Sequence, residues 1–137
     1  MTENPPELAH TIGLIDAVAY AGATWDWHRL HYDPAYAAGL GLDSPVVDGQ
    51  MLGALLARQV LDHLGSSAFL RTLDFRLKSM VSVGETVRCR AETARSERVD
   101  GGVLVTFNQR MTVEDRTIID GARAQVFVPS AEPRAAR

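Results

Sequence analysis

The strongest constraint on the fold is one run of residues that is apolar around almost the whole circumference of a predicted helix. The apolar members of this run are Met51, Leu52, Ala54, Leu55, Leu56, Ala57, Val60, Leu61 and Leu64. A helix that is apolar on nearly every side is expected to be buried on nearly every side. Asp48 is suited to cap its start and Gly65 to end it. The sequence therefore predicts a buried central helix over residues 49–64.

The second half of the chain shows the alternation of apolar and polar residues that is typical of strands. The alternating apolar positions are Leu73, Phe75 and Leu77; Val87, Cys89 and Ala91; Val103, Val105 and Phe107; and the segment from Ile119 to Val128. The turns between them, at 83–85, 100–102 and 114–116, are too short for crossover connections, so the strands are expected to be antiparallel. This pattern predicts an α+β fold in which a curved antiparallel sheet wraps around the central helix.

Weaker signals organise the first half of the chain. We expect a short strand over Thr11–Leu14 and a short helix over residues 15–22. Asp33 followed by Pro34 is typical of a helix start, and this helix is expected to end at Ala38 before two glycines. A single domain over 1–137 is predicted, with flexible ends at 1–8 and 130–137.

Composition excludes several classes of protein. The formal net charge of −3 and the lack of a basic patch argue against nucleic-acid binding. Cys89 is the one cysteine, so an internal disulfide is impossible. No apolar run has membrane-spanning length, and residues 1–7 lack the pattern of a secretory signal. A cytoplasmic chain that does not bind a membrane is predicted.

Polar and aromatic residues concentrate between Trp25 and Pro34. Asp26 and His31 are five residues apart, so on a continuous helix their side chains would point about 140° away from each other. They can face one cleft only if the backbone between them turns. A carboxylate and an imidazole that meet across such a turn can hold one water and move its proton at neutral pH.

These residues resemble the single-domain MaoC-like hydratase/dehydratases of the hot-dog fold. The (R)-specific enoyl-CoA hydratases of that family carry a motif close to Gly-Asp-x-Asn-Pro-Leu-His-x-Asp-Pro-x-x-Ala. The matching segment is Trp25-Asp26-Trp27-His28-Arg29-Leu30-His31-Tyr32-Asp33-Pro34-Ala35-Tyr36-Ala37. Two later segments also resemble the family: 46–52, like Val-x-His-Gly-Met-Leu, and 75–85, like the strand and Pro-x-x-Gly-Asp turn that follow the helix. The resemblance extends over about residues 15–128.

The chain departs from the family pattern at four positions. Trp25 stands for the motif glycine, His28 for its asparagine, Arg29 for its proline, and Asp48 for the histidine before the helix glycine. The acid and the histidine are kept while their surroundings change.

The resemblance implies addition of water to a trans-2-enoyl thioester, or its removal from a 3-hydroxyacyl thioester. It assigns the catalytic pair to Asp26 and His31, without saying which is the base, and an oxyanion donor to the backbone N–H of Gly49. The first turn of a helix has free N–H groups and a partial positive charge. Asp48 could compete for these groups, and we expect it to turn away toward an arginine or a hydroxyl. The further candidates for oxyanion or substrate binding are Asp48 itself, Val47, Trp25 and Tyr32.

Other interpretations stay open for the same residues. Asp26 and His31 could be an ordinary loop pair, Gly49 could serve packing alone, and the two tryptophans are more typical of wall or interface packing than of substrate stacking. His28 and His31, with Asp26 and Asp33, could be read as metal ligands, but a distant second ligand pair is missing, so no metal or other cofactor is expected. Cys89 is expected to be inert core, and His10 and His63 surface residues.

Three functions are considered. The first is a hydratase/dehydratase that acts on acyl-CoA, or on an acyl-carrier-protein thioester. The second is a hot-dog thioesterase, with its acid at Asp48 or Asp62 on the central helix. The third is a partner subunit of a heteromeric hydratase. Because an isolated sheet leaves an open edge, at least a dimer is expected, either of identical chains or with a related chain.

Overall fold

The protein is described by a computed structural model that covers residues 3–131. It contains one five-stranded antiparallel sheet in the order β1-β3-β4-β5-β2. The strands are β1 (Leu8–Thr11), β2 (Phe69–Asp74), β3 (Thr86–Val99), β4 (Gly102–Val113) and β5 (Arg116–Pro129), and the helices are α1 (Leu14–Thr24), α2 (Pro34–Gly39) and α3 (Gly49–Leu64). The inner face of the sheet packs against α3, through β2, β3 and β5. The predicted wrapping of an antiparallel sheet around a central helix is confirmed.

Helix α3 has the predicted bounds. Asp48 caps its first turn by accepting a hydrogen bond from the N–H of Gln50, and Gly65 ends it at a φ of 97°. The prediction of burial on nearly every side is wrong in one respect, because Gln50, Ala54 and Arg58 form an exposed stripe. These positions are four residues apart and lie on one face of the helix, which the sheet of this chain does not cover.

Two buried glutamines fasten α3 to the sheet. Gln59 of α3 donates from Nε2 to the carbonyl oxygens of Cys89 (2.8 Å) and Pro6 (2.9 Å). Gln109 of β4 donates from Nε2 to the carbonyl of Leu56 (2.9 Å) and to Oε1 of Gln59 (3.0 Å). Since both side chains are almost fully buried, these bonds replace the contacts with water that their Nε2 groups and Oε1 of Gln59 lose, while Oε1 of Gln109 has no partner among the described residues. We call Gln59 and Gln109 the amide clamp.

The strand after α3 lies earlier in the chain than predicted. The alternation at Leu73, Phe75 and Leu77 predicted a strand there, whereas β2 ends at Asp74. The next two apolar residues turn onto glycines of α3 instead. A Cβ on Gly53 would lie 2.5 Å from the Phe75 ring, and a Cβ on Gly49 would lie 2.6 Å from Cδ1 of Leu77. The apolar alternation therefore reflects packing on the helix as well as pairing in the sheet.

The remaining strands agree with the sequence. Val87, Cys89 and Ala91 of β3 are buried, and the turns at 83–85, 100–102 and 114–116 connect the predicted strands. Burial raises the pKa of the Cys89 thiol to about 12, as expected for an unreactive core cysteine. Within residues 3–131, no helix has the length and apolar character needed to cross a membrane.

The N-terminal elements differ from the expected ones. The first strand is Leu8–Thr11, not Thr11–Leu14, because Asp16 accepts a hydrogen bond from the N–H of Gly13 and so starts α1 immediately afterwards. The expected helix over 15–22 is confirmed and extends to Thr24. Flexibility of the two ends stays a prediction. The described part of the first end contacts the sheet, where Glu7 pairs with two arginines of β3, and 132–137 lie outside the described residues.

Candidate functional site

A tight change of chain direction separates Asp26 from His31. Helix α1 ends at Thr24, and Trp25 follows in the left-handed conformation, with a φ of 58°. The N–H of Asp26 still donates to the carbonyl of Ala21 (3.1 Å). A single 3-10 turn over Arg29–His31 then redirects the chain. This is the backbone turn that the spacing of the two residues requires.

The turn brings Asp26 and His31 together, and Asp48 joins them. One polar atom from each of the three side chains lies within 4.8 Å of the other two. None of the three residues is buried, so solvent or a ligand can reach them. The carboxylate of Asp26 also accepts a hydrogen bond from the N–H of His28 (3.3 Å), which helps to orient it. We call Asp26, His31 and Asp48 the polar triad.

The imidazole of His31 is oriented by the loop before α3. Its Nδ1 lies 2.8 Å from the carbonyl oxygen of Val46, which can only accept, so Nδ1 carries the proton of this bond. The N–H of Val46 donates in turn to the carbonyl of Leu30 (3.0 Å). In the neutral ring, Nε2 is therefore the nitrogen with a free lone pair. No partner for Nε2 is present among residues 3–131.

Asp48 does not turn away from the site as expected. Oδ1 accepts from the N–H of Gln50 (2.9 Å), and within residues 3–131 the carboxylate has no ion pair with an arginine and no hydrogen bond from a hydroxyl. The reason is the cap itself, which holds the side chain over the start of α3 beside Asp26 and His31. The cap uses the N–H of Gln50 and leaves that of Gly49 without an acceptor in the described chain.

The departures from the family motif have local structural roles. His28 caps the 3-10 turn, since its Nδ1 accepts from the N–H of Leu30 (3.1 Å), a bond that an asparagine oxygen could also accept. Arg29 pairs with Asp33 at 2.8 Å and lies over the Tyr36 ring, 5.1 Å from its centroid. Trp25 occupies a left-handed position that a glycine adopts with less strain. The altered residues therefore preserve the shape of the segment.

The other candidate residues differ in position. Trp25 is 80% exposed, and its ring meets Trp27 edge to face, with centroids 5.9 Å apart. Tyr32 donates to the carbonyl of Trp27 (3.2 Å) and meets its ring at 5.7 Å. Val47 is only 4% exposed and packs in the main core cluster, so the structure does not bring its side chain to the polar triad.

Two neighbours of the site were not identified from the sequence. Val46 orients His31 through its backbone, which no side-chain pattern could reveal. Tyr20 of α1 packs against the core and lies near Asp48; burial first, and then the charge of Asp48, raise the pKa of its hydroxyl. The hydroxyl therefore stays protonated at neutral pH. The sequence alone does not reveal this role, because Tyr20 comes near Asp48 only in the packed structure.

The polar triad has the ligand types to hold either a water or a divalent cation. Two carboxylates and one imidazole within 4.8 Å of one another are donors that magnesium or manganese can share with water. The same groups can accept and donate hydrogen bonds to a single water molecule. The arrangement suits transfer of a proton to or from a small molecule held at the start of α3.

Comparisons with known proteins agree with this fold. The chain is 34% identical over 88 residues to an (R)-specific enoyl-CoA hydratase from Aeromonas caviae. That alignment covers 62% of this chain and 64% of the relative, so the matched part spans slightly less than two thirds of the relative's length.

Two solved structures share the fold. The (R)-hydratase from A. caviae involved in PHA biosynthesis is 26% identical, with a TM-score of 0.77 over 94% of this chain and 97% of that one. The ChsH1-ChsH2 complex from Mycobacterium tuberculosis contains a chain 23% identical, with a TM-score of 0.77 over 93% of this chain and 98% of that one, and this likeness shows the fold alone. The model of the MaoC-like domain family matches residues 2–115. The chain therefore belongs to the MaoC-like dehydratase family and has the hot-dog fold.

Proposed function

We propose that this protein is a hydratase/dehydratase that adds water to, or removes it from, the 2,3 position of an acyl thioester. The observation that carries the proposal is the convergence of Asp26 and His31 beside the start of α3, at a spacing that one water can bridge. Membership of the MaoC-like family supports the reaction type. The hydratase names of the relatives support an enoyl thioester as the substrate class.

In the hydration direction, the water attacks C3 while the electrons of the double bond move toward the thioester oxygen. Asp26 or His31 takes the proton that the water releases, and a proton is delivered to C2. The fixed Nδ1–H bond of His31 leaves Nε2 to handle protons at the water. Such general acid–base catalysis typically contributes about 10²- to 10⁴-fold in rate.

The developing negative charge on the thioester oxygen needs a donor. The N–H of Gly49 is suited to this role, because it is at the first turn of α3 and has no acceptor among residues 3–131. The helix dipole adds a partial positive charge at this end. One donor of this kind is worth on the order of 3–4 kcal/mol in the transition state. Leu77 lies against the Cα side of Gly49 and would contact the acyl thioester.

The direct test is an assay of the hydration of crotonyl-CoA and longer trans-2-enoyl-CoAs. The reaction is measured by the decrease in the absorbance of the enoyl group. We expect activity in the wild type and a loss of about 10²- to 10⁴-fold in Asp26→Asn. Asp43→Asn is the matched control, since Asp43 is an exposed loop carboxylate, and this variant should keep wild-type activity. Equal rates in the wild type and Asp26→Asn would refute the assignment of Asp26.

The thioesterase alternative has less support. Asp62 pairs with Arg58 at 3.3 Å and is exposed. It lies thirteen residues after Gly49, about 20 Å along the helix axis, which is too far to act at the same carbonyl. Asp48 lies beside Asp26 and His31, so it does not form a separate acidic site on the helix. Thiol release from acyl-CoA that depends on Asp48 but not on Asp26 would favour a thioesterase.

We further propose that two chains, identical or related, associate through the edge strand β2. In the described chain, β2 pairs with β5 only, so its other edge is open. Phe69, Leu77 and Met80, on and after this strand, are 64%, 48% and 65% exposed. An open edge with apolar neighbours favours pairing. A molar mass equal to one chain in light scattering would contradict this.

An activity assay on this protein, purified without any other chain, would distinguish an assembly of identical chains from an assembly with a related chain. We expect the homomer to be active, since Asp26, His31 and Gly49 all come from this chain. If activity appears only after a related chain is added, the protein is a subunit of a heteromer.

A further inference from the structure

Asp48 has a carboxylate oxygen that no structural role uses. Its Oδ1 caps α3 through the N–H of Gln50, whereas Oδ2 has no hydrogen-bond partner among residues 3–131. The residue is half-buried and has no ion pair with any described lysine or arginine. An acid that served only as a helix cap would need one oxygen and could be replaced by serine or asparagine. The second oxygen is therefore available to a ligand.

The spacing of the polar triad fits a single water molecule. Hydrogen bonds between water and these groups are about 2.8 Å long. Two partners that such a water contacts at a tetrahedral angle are then about 4.6 Å apart, as follows from that length. The polar atoms of Asp26, His31 and Asp48 all lie within 4.8 Å of one another. One water can thus contact all three side chains at ordinary hydrogen-bond lengths.

We propose that Asp48 is a third catalytic residue, which holds the reacting water together with Asp26 and His31. The inference rests on the proposed hydratase function and assigns a further residue to the same reaction. The two O–H bonds of the water point to the two carboxylates, and the water accepts from Nε2–H of His31, whose ring then carries a proton on both nitrogens. The fourth tetrahedral direction then holds a lone pair that faces C3 of the substrate. A pair of groups alone would leave the water free to rotate about the line between them.

The chemical step balances with this arrangement. The water oxygen forms the C3–O bond while one of its O–H bonds breaks, and that proton passes to one of the two carboxylates. The π electrons of the C2–C3 bond form the enolate, whose oxygen accepts from the N–H of Gly49. A proton from the triad then forms the C2–H bond and restores the thioester carbonyl. The net change is addition of one water, and no other reactant is required.

The way Asp48 caps α3 allows its carboxylate to lie near the proposed site of the thioester oxyanion. Because Asp48 uses the N–H of Gln50, it leaves the N–H of Gly49 for the thioester oxygen. Its negative charge also faces the proposed water, whose oxygen becomes more positive as it attacks. The substitution of histidine by aspartate at this family position therefore changes how the water is held, and keeps the donor for the oxyanion.

Asp48→Asn tests the inference without removing the cap. The amide oxygen can keep the bond to the N–H of Gln50, so the amide nitrogen replaces Oδ2 and presents a donor where the water needs an acceptor. We expect kcat for enoyl-CoA hydration to fall by about 10- to 100-fold, with KM changed by less than about twofold. Asp48→Ser, which keeps a cap and lacks a second oxygen, should show a similar loss in kcat. Both variants should keep the wild-type melting temperature.

Asp43→Asn is the matched control, since it removes one exposed carboxylate from the same loop and should leave kcat unchanged. Wild-type kcat in Asp48→Asn, beside an inactive Asp26→Asn, would overturn the inference and leave the proposed function intact. A change in KM alone would also overturn it, because Asp48 would then contact the substrate instead of the water. Loss of wild-type activity on chelation, restored by magnesium or manganese, would overturn it in favour of a bound cation. If the wild type hydrates no enoyl thioester, the proposed function itself has failed.

Discussion

Two kinds of polar side chain share the segment from Asp26 to Tyr36, and they differ in what they bind. His28 and Asp33 give their acceptor atoms to backbone N–H groups, at the 3-10 turn and at the start of α2. Asp26 and His31 make one hydrogen bond each to the backbone, and the second polar atom of each has no partner among residues 3–131. The first kind shapes the loop, and the second kind is left for a ligand.

Charge separates the same two kinds. Asp33 pairs with Arg29, and Glu85, in the turn before β3, pairs with Arg116 at 2.7 Å. In the described part of the chain, neither Asp26 nor Asp48 has a lysine or arginine partner. Asp33 and Glu85 are thus each paired with an arginine, while Asp26 and Asp48 have no such partner among residues 3–131.

The largest expected effect separates the two histidines. His31→Asn removes the nitrogen that handles protons, and should lower kcat/KM for enoyl-CoA hydration by about 10²- to 10⁴-fold. His28→Asn should stay within a few-fold of the wild type, because an asparagine oxygen can still cap the 3-10 turn. Steady-state assays, with circular dichroism to check folding, measure both. Equal losses of kcat/KM in the two variants would contradict the proposal that His31 acts in the reaction while His28 only shapes the loop.

The next largest effect is expected on the free energy of unfolding, when either of two glycines of α3 is replaced by alanine. Gly53→Ala places a Cβ 2.5 Å from two atoms of the Phe75 ring, whereas in Gly49→Ala the contact is the tip of the half-exposed Leu77. Overpacking against a ring costs about 1–3 kcal/mol, against about 1 kcal/mol gained from helix propensity. We expect Gly53→Ala to lower the free energy of unfolding and Gly49→Ala to lower it less. Urea unfolding of both variants measures this, and the opposite order would contradict it.

A smaller effect is expected at the start of α2. The hydrogen bond from Tyr36, together with the guanidinium of Arg29, lowers the pKa of Asp33. Asp33→Ala loses the cap and the ion pair, and its melting temperature should fall by several degrees, whereas Asp33→Asn keeps the cap and should fall less. Scanning calorimetry at neutral pH compares the two. Identical melting temperatures would show that the cap contributes little.

The smallest effect depends on pH. The hydrogen bond from Arg116 is the main cause that lowers the pKa of Glu85 below its usual value of 4.5. A carboxyl whose pKa is lower in the folded state stabilises the fold above the unfolded value, and this contribution is lost as pH falls through the folded value. Glu85→Gln should therefore melt below the wild type at pH near 7, and the difference should shrink below about pH 4.5. A difference that is constant with pH would show that the charge of Glu85 is not its cause.

The sequence predicted those parts of the fold that depend on local patterns. Helix α3 was placed from Gly49 to Leu64 because its apolar residues, its cap and its terminal glycine are all local signals. β2 was misplaced because Phe75 and Leu77 contact glycines more than twenty residues earlier, a contact between distant segments that no local pattern contains.

For the site, the motif spacing identified Asp26 and His31 as a pair. The direction of Asp48 was missed, since a cap can use either oxygen and only the packed structure places the other. Val46 was missed for a related reason, because its contribution is a backbone carbonyl.

The amide clamp has a consequence for the far end of the helix it holds. Gln59 lies eleven residues after Asp48, about 16 Å along α3. Its bonds to the carbonyls of Cys89 and Pro6 would break if α3 slid or rotated against the sheet. The clamp therefore acts as an anchor that fixes the depth and the rotation of the helix. If a thioester carbonyl binds at Gly49 as proposed, it would contact a helix terminus whose position is fixed by hydrogen bonds of two buried glutamines far from the site.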